Sequence, residues 1–288
     1  MPEVARALLV PPATVAQRLV RAKRKLRDAG IPIEVPPAER LTERLDAVLT
    51  TLYLVFTEGY VATEGPGLRR DDLADEAIRL ATTLSALMPD EAEATGLLAL
   101  MKLHHARRGA RADPDGALVL LEDQDRSLWD RAAIDEGVAL VERALRMRRP
   151  PGRLALQAAI AALHAQAPAA DRTDWPQILA LYGELVRRAP SPVVALNRAV
   201  ALAQVQGPGA GLRAVEDLVA IGALDAYAPL HAARGDLLLR LDRHGEARKA
   251  FARALGLTTN PAERAFLARR HREAESRGRH PPRRPRPW

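Results

Sequence analysis

The chain has 288 residues, 48% of them hydrophobic, which suffices for one large domain or two ordinary ones and excludes a wholly disordered polypeptide. It has no cysteine and 3% aromatic residues, which excludes disulfides, thiolate metal sites and a cysteine nucleophile, and favours helix over sheet. The net charge of +7 is unevenly spread. Residues 1–27 hold seven Arg or Lys against one Glu, and residues 269–288 hold eight Arg against two Glu, so each end carries +6 and the remainder −5. A nucleic-acid reading therefore belongs to the ends. No apolar run reaches the ~18 residues of a membrane span, and no basic segment precedes a long apolar stretch at the start. The expected setting is soluble and cytoplasmic, without a membrane partner.

Residues 1–30 read as helix, turn, helix. Pro2 opens the first helix, with Val4, Ala5, Leu8 and Leu9 as its apolar side, and Val10-Pro11-Pro12 breaks it. The second helix is predicted from about Ala13 to Arg27. Val15, Leu19, Ala22 and Leu26 form one stripe, expected to be buried. Thr14, Gln17, Arg18, Arg21, Lys23, Arg24 and Lys25 take the other faces. The pattern fits a helix-turn-helix recognition helix, and equally a solvated basic helix packed on its neighbours. Residues 31–40 are predicted to be a linker, because Pro32, Pro36 and Pro37 force extended backbone.

From Leu41 onward the pattern is helix after helix. Asp90 with Glu93, Ser127 with Asp130, Asp174 with Gln177 and Asn260 with Glu263 are spaced as N-cap and third helical residue. Pro192 and Pro261 sit where a first-turn proline is tolerated. Gly59 reads as a helix stop and Tyr60 as core. Ala112-Asp113-Pro114-Asp115-Gly116 reads as a turn, and Ala117 to Leu121 as extended or as a buried apolar segment. Residues 41–150 form a first helical part and 151–270 a second. Residues 271–288, with four prolines among arginines, are predicted to be a disordered basic tail.

The second part carries a weak repeat of the tetratricopeptide kind, pairs of antiparallel helices with small residues at the crossings. In the best copy Gly235, Leu238, Ala247, Phe251 and Ala254 fall at the offsets of such a unit. An earlier copy places Ile178, Tyr182, Leu185 and Pro190 on its second helix. Between them, Ala199 and Ala201 are predicted to face Ala214, Leu218 and Ile221 across the loop at Gly207-Pro208. The expected fold is all-α, a partial helix-turn-helix followed by tetratricopeptide-like helical repeats.

Several residues invite a chemical reading. His104 and His105 are adjacent on one helix and point about 100° apart, a poor arrangement for one metal. Glu122, Asp123, Asp125, Arg126 and Asp130 surround Ser127 and Trp129. The cluster reads as a partner-docking loop, or as a helix start with Ser127 capping and Arg126 in an ion pair. Trp129 and Trp175 read as packing residues. Asn197, on an otherwise apolar helix, either lines a concave face and bonds a peptide backbone or bonds a neighbouring loop carbonyl. No nucleophile–base–acid set and no phosphate loop appears, so no catalytic residue, metal or cofactor is expected and the chain does not read as an enzyme.

The string ThrValAlaGlnArgLeuValArgAlaLysArgLysLeuArg, residues 14–27, closely resembles the recognition helix of region 4 in extracytoplasmic-function sigma factors. Residues 3–10 resemble the first helix of that motif. Four further strings, at residues 52–60, 97–108, 120–130 and 191–200, are similar to a subgroup with a tetratricopeptide-type C-terminal extension. The resemblance reaches to about Arg270. It implies that Thr14, Gln17, Arg18, Arg21 and Lys25 approach −35 promoter DNA. It implies core RNA polymerase as a partner, with an extension that contacts sigma region 2 or a regulatory protein or peptide. Asn197, Glu122, Asp125 and Arg126 are the candidate partner-binding residues. Region 2 has no counterpart in this sequence, so the resemblance starts inside region 4, and the chain is not expected to initiate transcription alone.

Overall fold

The computed structural model describes residues 2–30, 38–63 and 68–279. Among them the chain is all-α, with thirteen α-helices, four short 3₁₀ turns and one isolated β-bridge. The chain divides into two compact units. One holds residues 1–108 and 130–158, the other residues 109–129 and 159–288.

The first unit contains α1 (Pro2–Ala7), α2 (Pro12–Asp28), α3 (Ala38–Tyr60), α4 (Asp71–Leu87), α5 (Ala92–His105), α6 (Arg131–Arg146) and the start of α7 (Arg153–Gln166). Its centre is α5, whose AlaThrGlyLeuLeuAlaLeuMet run is buried all round. Such a helix needs neighbours on every side. One side takes α6, through Ile134, Val141 and Ala144, and Gly137 lies against Leu103. On another side α7 approaches so closely that a Cβ at Gly96 would stand 2.7 Å from the Ala155 backbone. Helix α4 supplies a row of small residues, Ala74, Ala77, Ala81 and Ser85. Helix α3 adds Leu45, Leu49, Leu52 and Phe56.

Three expectations change in this unit. Residues 31–37 of the predicted linker lie outside the described residues, and the chain is already helical from Ala38. Helix α3 ends at Tyr60, where expected, but Gly59 is still helical and is not its left-handed cap. This glycine is a crossing point, where a Cβ would lie 2.5 Å from the Ala74 nitrogen, and its carbonyl accepts from the Arg70 N–H at 2.9 Å. Asp90 is not the cap of α5. The preceding residue is Glu91, without a side-chain cap, and Glu93 serves a different helix.

The second unit contains the end of α7 with α8 (Trp175–Arg188), α9 (Pro192–Gln206), α10 (Pro208–Ile221), α11 (Ala228–Arg240), α12 (His244–Leu257) and α13 (Pro261–Arg279). From α8 on, each helix packs on the next. Ser191 caps α9 by accepting from the Val194 N–H at 3.1 Å, Asp174 caps α8 through Gln177, and Asn260 caps α13 through Ala262 and Glu263. In the α11–α12 pair a Cβ on Gly235 would meet the Phe251 ring at 2.8 Å, and Leu238, Ala247, Phe251 and Ala254 are fully buried. Gly235 and Phe251 each sit at the middle of their helix, and only residues 241–243 connect α11 to α12, so these two packed neighbours run antiparallel. The α9–α10 pair closes in the same way, with Gly211 against Ala199 and Ala203.

Here too the details differ from expectation. Ala201 packs away from α10, with Ile160 and Ile178, because it lies on the opposite side of α9 from Ala199 and Ala203. Ile221, at the last turn of α10, is 72% exposed. Helix α13 continues past residue 271 to Arg279. Beyond residue 271 it stays packed, because Ala274 is buried and a Cβ at Gly278 would stand 3.4 Å from the His244 side chain of α12, while Arg270 pairs with Asp236 of α11 and Glu273 joins Arg270 and Arg277 within α13. Residues 280–288 lie outside the described residues.

Residues 111–119 form a small hairpin. Asp113 N–H donates to the Ala117 carbonyl and Val119 N–H to the Arg111 carbonyl, each at 2.9 Å. Gly116, at φ +80°, makes the tight turn that other residues resist. Leu118 and Leu120 beyond it pack on the core of the second unit, so the segment is both extended and inward-facing.

Candidate nucleic-acid and partner surfaces

Helix α2 starts at Pro12, which needs no N–H partner in the first turn. Leu9, in the left-handed region at φ +52°, closes α1 before it. At 100° per residue, positions 14, 17, 18, 21 and 25 share one side of a helix. Gln17, Arg18, Arg21 and Lys25 are exposed there, and Thr14 is half-buried. The structure thus brings the five predicted DNA-contacting residues onto a single face. Arg21 donates only to the Gln17 carbonyl, at 3.4 Å, and no acid pairs with Arg18, Arg21 or Lys25 among the described residues. The apolar stripe is turned about 100° from that face. Its burial was expected and is not found: Val15 alone is buried, while Leu19 and Leu26 are 44% and 53% exposed. Every residue of α2 after Val15 is exposed, so the stripe is uncovered from Leu19 onward.

Of the predicted partner-binding residues, Glu122, Asp125 and Arg126 share one loop and Asn197 lies on α9. Asn197 is exposed on α9, and its side chain makes no hydrogen bond among the described residues, so the loop-carbonyl alternative is not what holds it. Glu122 is exposed in a 3₁₀ turn at Leu121–Asp123. Asp125 turns inward on its own loop and caps the 3₁₀ turn Arg126–Leu128, accepting from the Ser127 N–H at 2.9 Å and the Ser127 hydroxyl at 2.7 Å. These two bonds hold its carboxyl below the usual range. Arg126 donates to the carbonyls of His164 and Ala167 at 2.9 Å each, and its guanidinium lies 4.3 Å from the Trp129 ring centre. Asp130, not Ser127, caps α6, accepting from the Ala133 N–H at 3.0 Å.

The two histidines diverge. His104 meets the Tyr60 ring edge-on at 5.2 Å and contacts Arg107 through Nδ1 at 3.0 Å, while Arg107 donates to the Tyr60 hydroxyl at 2.6 Å. His105 turns to Asp75, 3.1 Å from its Nε2. Burial, seconded by Arg108, holds His105 below the ordinary histidine pKa. No group of three metal-ligating side chains occurs among the described residues. Nor is any described helix long and apolar enough to cross a membrane.

One surface escaped the sequence reading. The solvent side of α12 presents Arg248, Lys249 and Arg253 with no acid between them. The signal was present in the helical spacing of these cations, but a charge count by segment merged them into the acidic body.

Comparison with known proteins gives a match to part of the chain and a longer match to one relative. Residues 44–145, from α3 through α6, match a family of unknown function, DUF6596. The chain is 51% identical over 265 residues to a protein of Rhizobium meliloti (strain 1021) that is named only as uncharacterized. The aligned region is 92% of this chain and 62% of that protein, so the chain spans about three fifths of the relative's length. Both matches run through the helical part that carries the Glu122–Asp130 loop, and the second also reaches far beyond it.

Proposed function

We propose that this chain is the C-terminal part of a sigma-type transcription initiation factor, in which α2 contacts −35 promoter DNA and the helical extension regulates that contact. The observation that carries the reading is the single exposed face of α2, with Gln17, Arg18, Arg21 and Lys25 aligned and no acid opposing them. The resemblance of residues 14–27 to a sigma recognition helix supports it. Arg and Lys on such a face neutralise phosphates and release counterions, which supplies affinity. Gln17 and Arg18, nearer the helix start, are placed to reach base edges. Core RNA polymerase, and sigma region 2 or a regulatory protein or peptide, are the proposed partners of the extension. The reading involves no reaction and no cofactor.

The test is duplex binding against salt concentration for the chain and for Arg18→Ala/Arg21→Ala/Lys25→Ala. Three lost phosphate contacts make the slope of log affinity against log salt shallower by about 2.7. An unchanged slope and affinity would remove α2 from the DNA-binding reading.

A second reading is a helical-repeat interaction module without DNA binding. The antiparallel α11–α12 pair closed by Gly235 and Phe251, with Asn197 exposed on α9, favours it. Binding to core polymerase that survives the triple substitution in α2 but is lost in Asn197→Ala would select this reading.

A further inference from the structure

The second unit carries its own cationic surface, distinct from α2. Helix α12 buries Ala247, Ala250, Phe251 and Ala254 against the core. Its opposite side holds Gly245, Arg248, Lys249, Ala252, Arg253 and Gly256, all exposed. At 100° per residue the three small residues run down the middle of that side. Arg248 stands on one flank, with Lys249 and Arg253 on the other. A Cβ added at Gly245 or Gly256 would meet nothing within 4 Å, so the middle lies open.

The cations are free to act outward. Arg248 and Lys249 make no ion pair within 4 Å among the described residues, and Arg253 donates only to the Asp225 carbonyl, at 3.3 Å. The nearest acid on the helix, Glu246, is gripped by Arg243 through two bonds of 2.7 Å, which leaves its charge largely answered. At its N-terminal end the face runs into a cavity of about 280 Å³ lined by His244, Gly245, Arg248, Ala274, Glu275 and Gly278. His244 Nδ1 is buried there without a hydrogen-bond partner among the described residues. Glu275 is the one acid of that wall.

We propose that this side of α12 is a nucleic-acid contact that grips phosphate backbone without reading sequence. Two features favour nucleic acid over an acidic protein. A protein interface is anchored by large apolar or aromatic side chains in its centre, and here the centre is glycine and alanine. An interface with nucleic acid is polar and strongly positive, and its phosphate contacts need only exposed Arg and Lys over an unobstructed surface. No aromatic residue lies on the face for base stacking, and no Asn or Gln for base edges, so the contact is indifferent to sequence.

The experiment uses the full chain in the Arg18→Ala/Arg21→Ala/Lys25→Ala background, so that it stands whether or not α2 binds DNA. Binding to a short duplex of arbitrary sequence is followed against salt, with and without Arg248→Ala/Lys249→Ala/Arg253→Ala. The expected result is a loss of roughly tenfold at low salt and a slope shallower by about 2.7, with an unchanged unfolding midpoint because all three residues are exposed. Arg248→Lys/Arg253→Lys should keep the slope. Duplex binding with unchanged slope and affinity overturns the proposal. So does dependence on these residues for binding poly-glutamate but not duplex, which would mark an acidic protein as the partner.

Discussion

Glu93 reaches from the first turn of α5 to the backbone of Leu154, 61 residues away, and caps the first turn of α7. One carboxylate oxygen accepts from the Leu154 N–H and the other from the Ala155 N–H, each at 3.0 Å. Two of the unsatisfied donors at a helix start are thereby met by one ionised group, which the helix dipole also favours. Gly152 makes room for it, since a Cβ there would stand 2.5 Å from the Glu93 carboxyl carbon. Glu93→Ala is expected to destabilise the chain by about 1–3 kcal/mol, and Gly152→Ala by a similar amount through the displaced carboxylate. The double substitution should cost clearly less than the sum, because both remove the same cap. Urea unfolding of the three variants measures this, and strict additivity would show that Gly152 matters for another reason.

Among the glycines at helix crossings, Gly59 and Gly235 meet different kinds of neighbour, so relief of an added methyl group should differ between them. At Gly59 the added Cβ meets backbone, the Ala74 nitrogen at 2.5 Å and the Arg70 carbonyl at 2.9 Å. Backbone in two packed helices cannot yield locally. At Gly235 it meets the edge of the Phe251 ring, a side chain that substitution can shorten. Both Ala variants are expected to lose about 1–3 kcal/mol. Phe251→Leu should recover part of the loss in Gly235→Ala, although it is itself destabilising in the native background. Thermal unfolding of the single and double variants checks it, and no recovery would mean that the α11–α12 crossing is limited by backbone.

These contacts mark how far the sequence could be read. Helix content, the antiparallel pairs of the second unit, the caps Asp174 and Asn260 and the first-turn prolines Pro192 and Pro261 were legible, because each signal lies within a few residues of its partner. Glu93 was legible as a capping residue but was assigned to the wrong helix, since its true partner is distant in the chain. Gly59 looked like a stop because a glycine at a crossing and one at a helix end have the same local signature. The stripe on α2 was legible as a pattern, yet whether it is buried depends on what packs there, and that is not a property of the helix. The cations of α12 were also present in the helical spacing, opposite Ala247, Phe251 and Ala254, but a charge balance summed over the whole body hides them.

His105 supplies a pH dependence. Burial and Arg108 lower its pKa in the folded chain, and Asp75 opposes them only in part. The unfolded chain therefore takes up this proton first. The resulting stability is fully present above the unfolded value of about 6.5 and is lost as pH falls from there through the folded pKa. His105→Gln should flatten the stability profile over that window relative to the native chain. An NMR titration of the His105 ring checks the cause directly, and a midpoint at or above the ordinary histidine value would refute it.

The loop between α5 and α6 separates framework from surface within a few residues. Arg126 ties down two carbonyls, His164 and Ala167, and covers Trp129, so it organises the second unit around the end of α7. Lys has a single ammonium and no planar fork, and cannot reproduce both bonds and the stacking. Arg126→Lys is expected to cost about 2 kcal/mol and Arg126→Ala more, since two carbonyls and the ring lose their partner. Asp125→Ala should cost about 1 kcal/mol for the lost cap. Glu122 is exposed and holds nothing in place, so Glu122→Ala should leave the unfolding midpoint unchanged within about 0.5 kcal/mol. A partner that docks on this loop would then lose affinity in Glu122→Ala with stability intact, whereas any loss in the Arg126 variants should follow their unfolding. Polymerase binding measured beside unfolding for all four variants separates the two roles. If the Arg126 variants keep their stability but lose the partner, Arg126 contacts the partner directly.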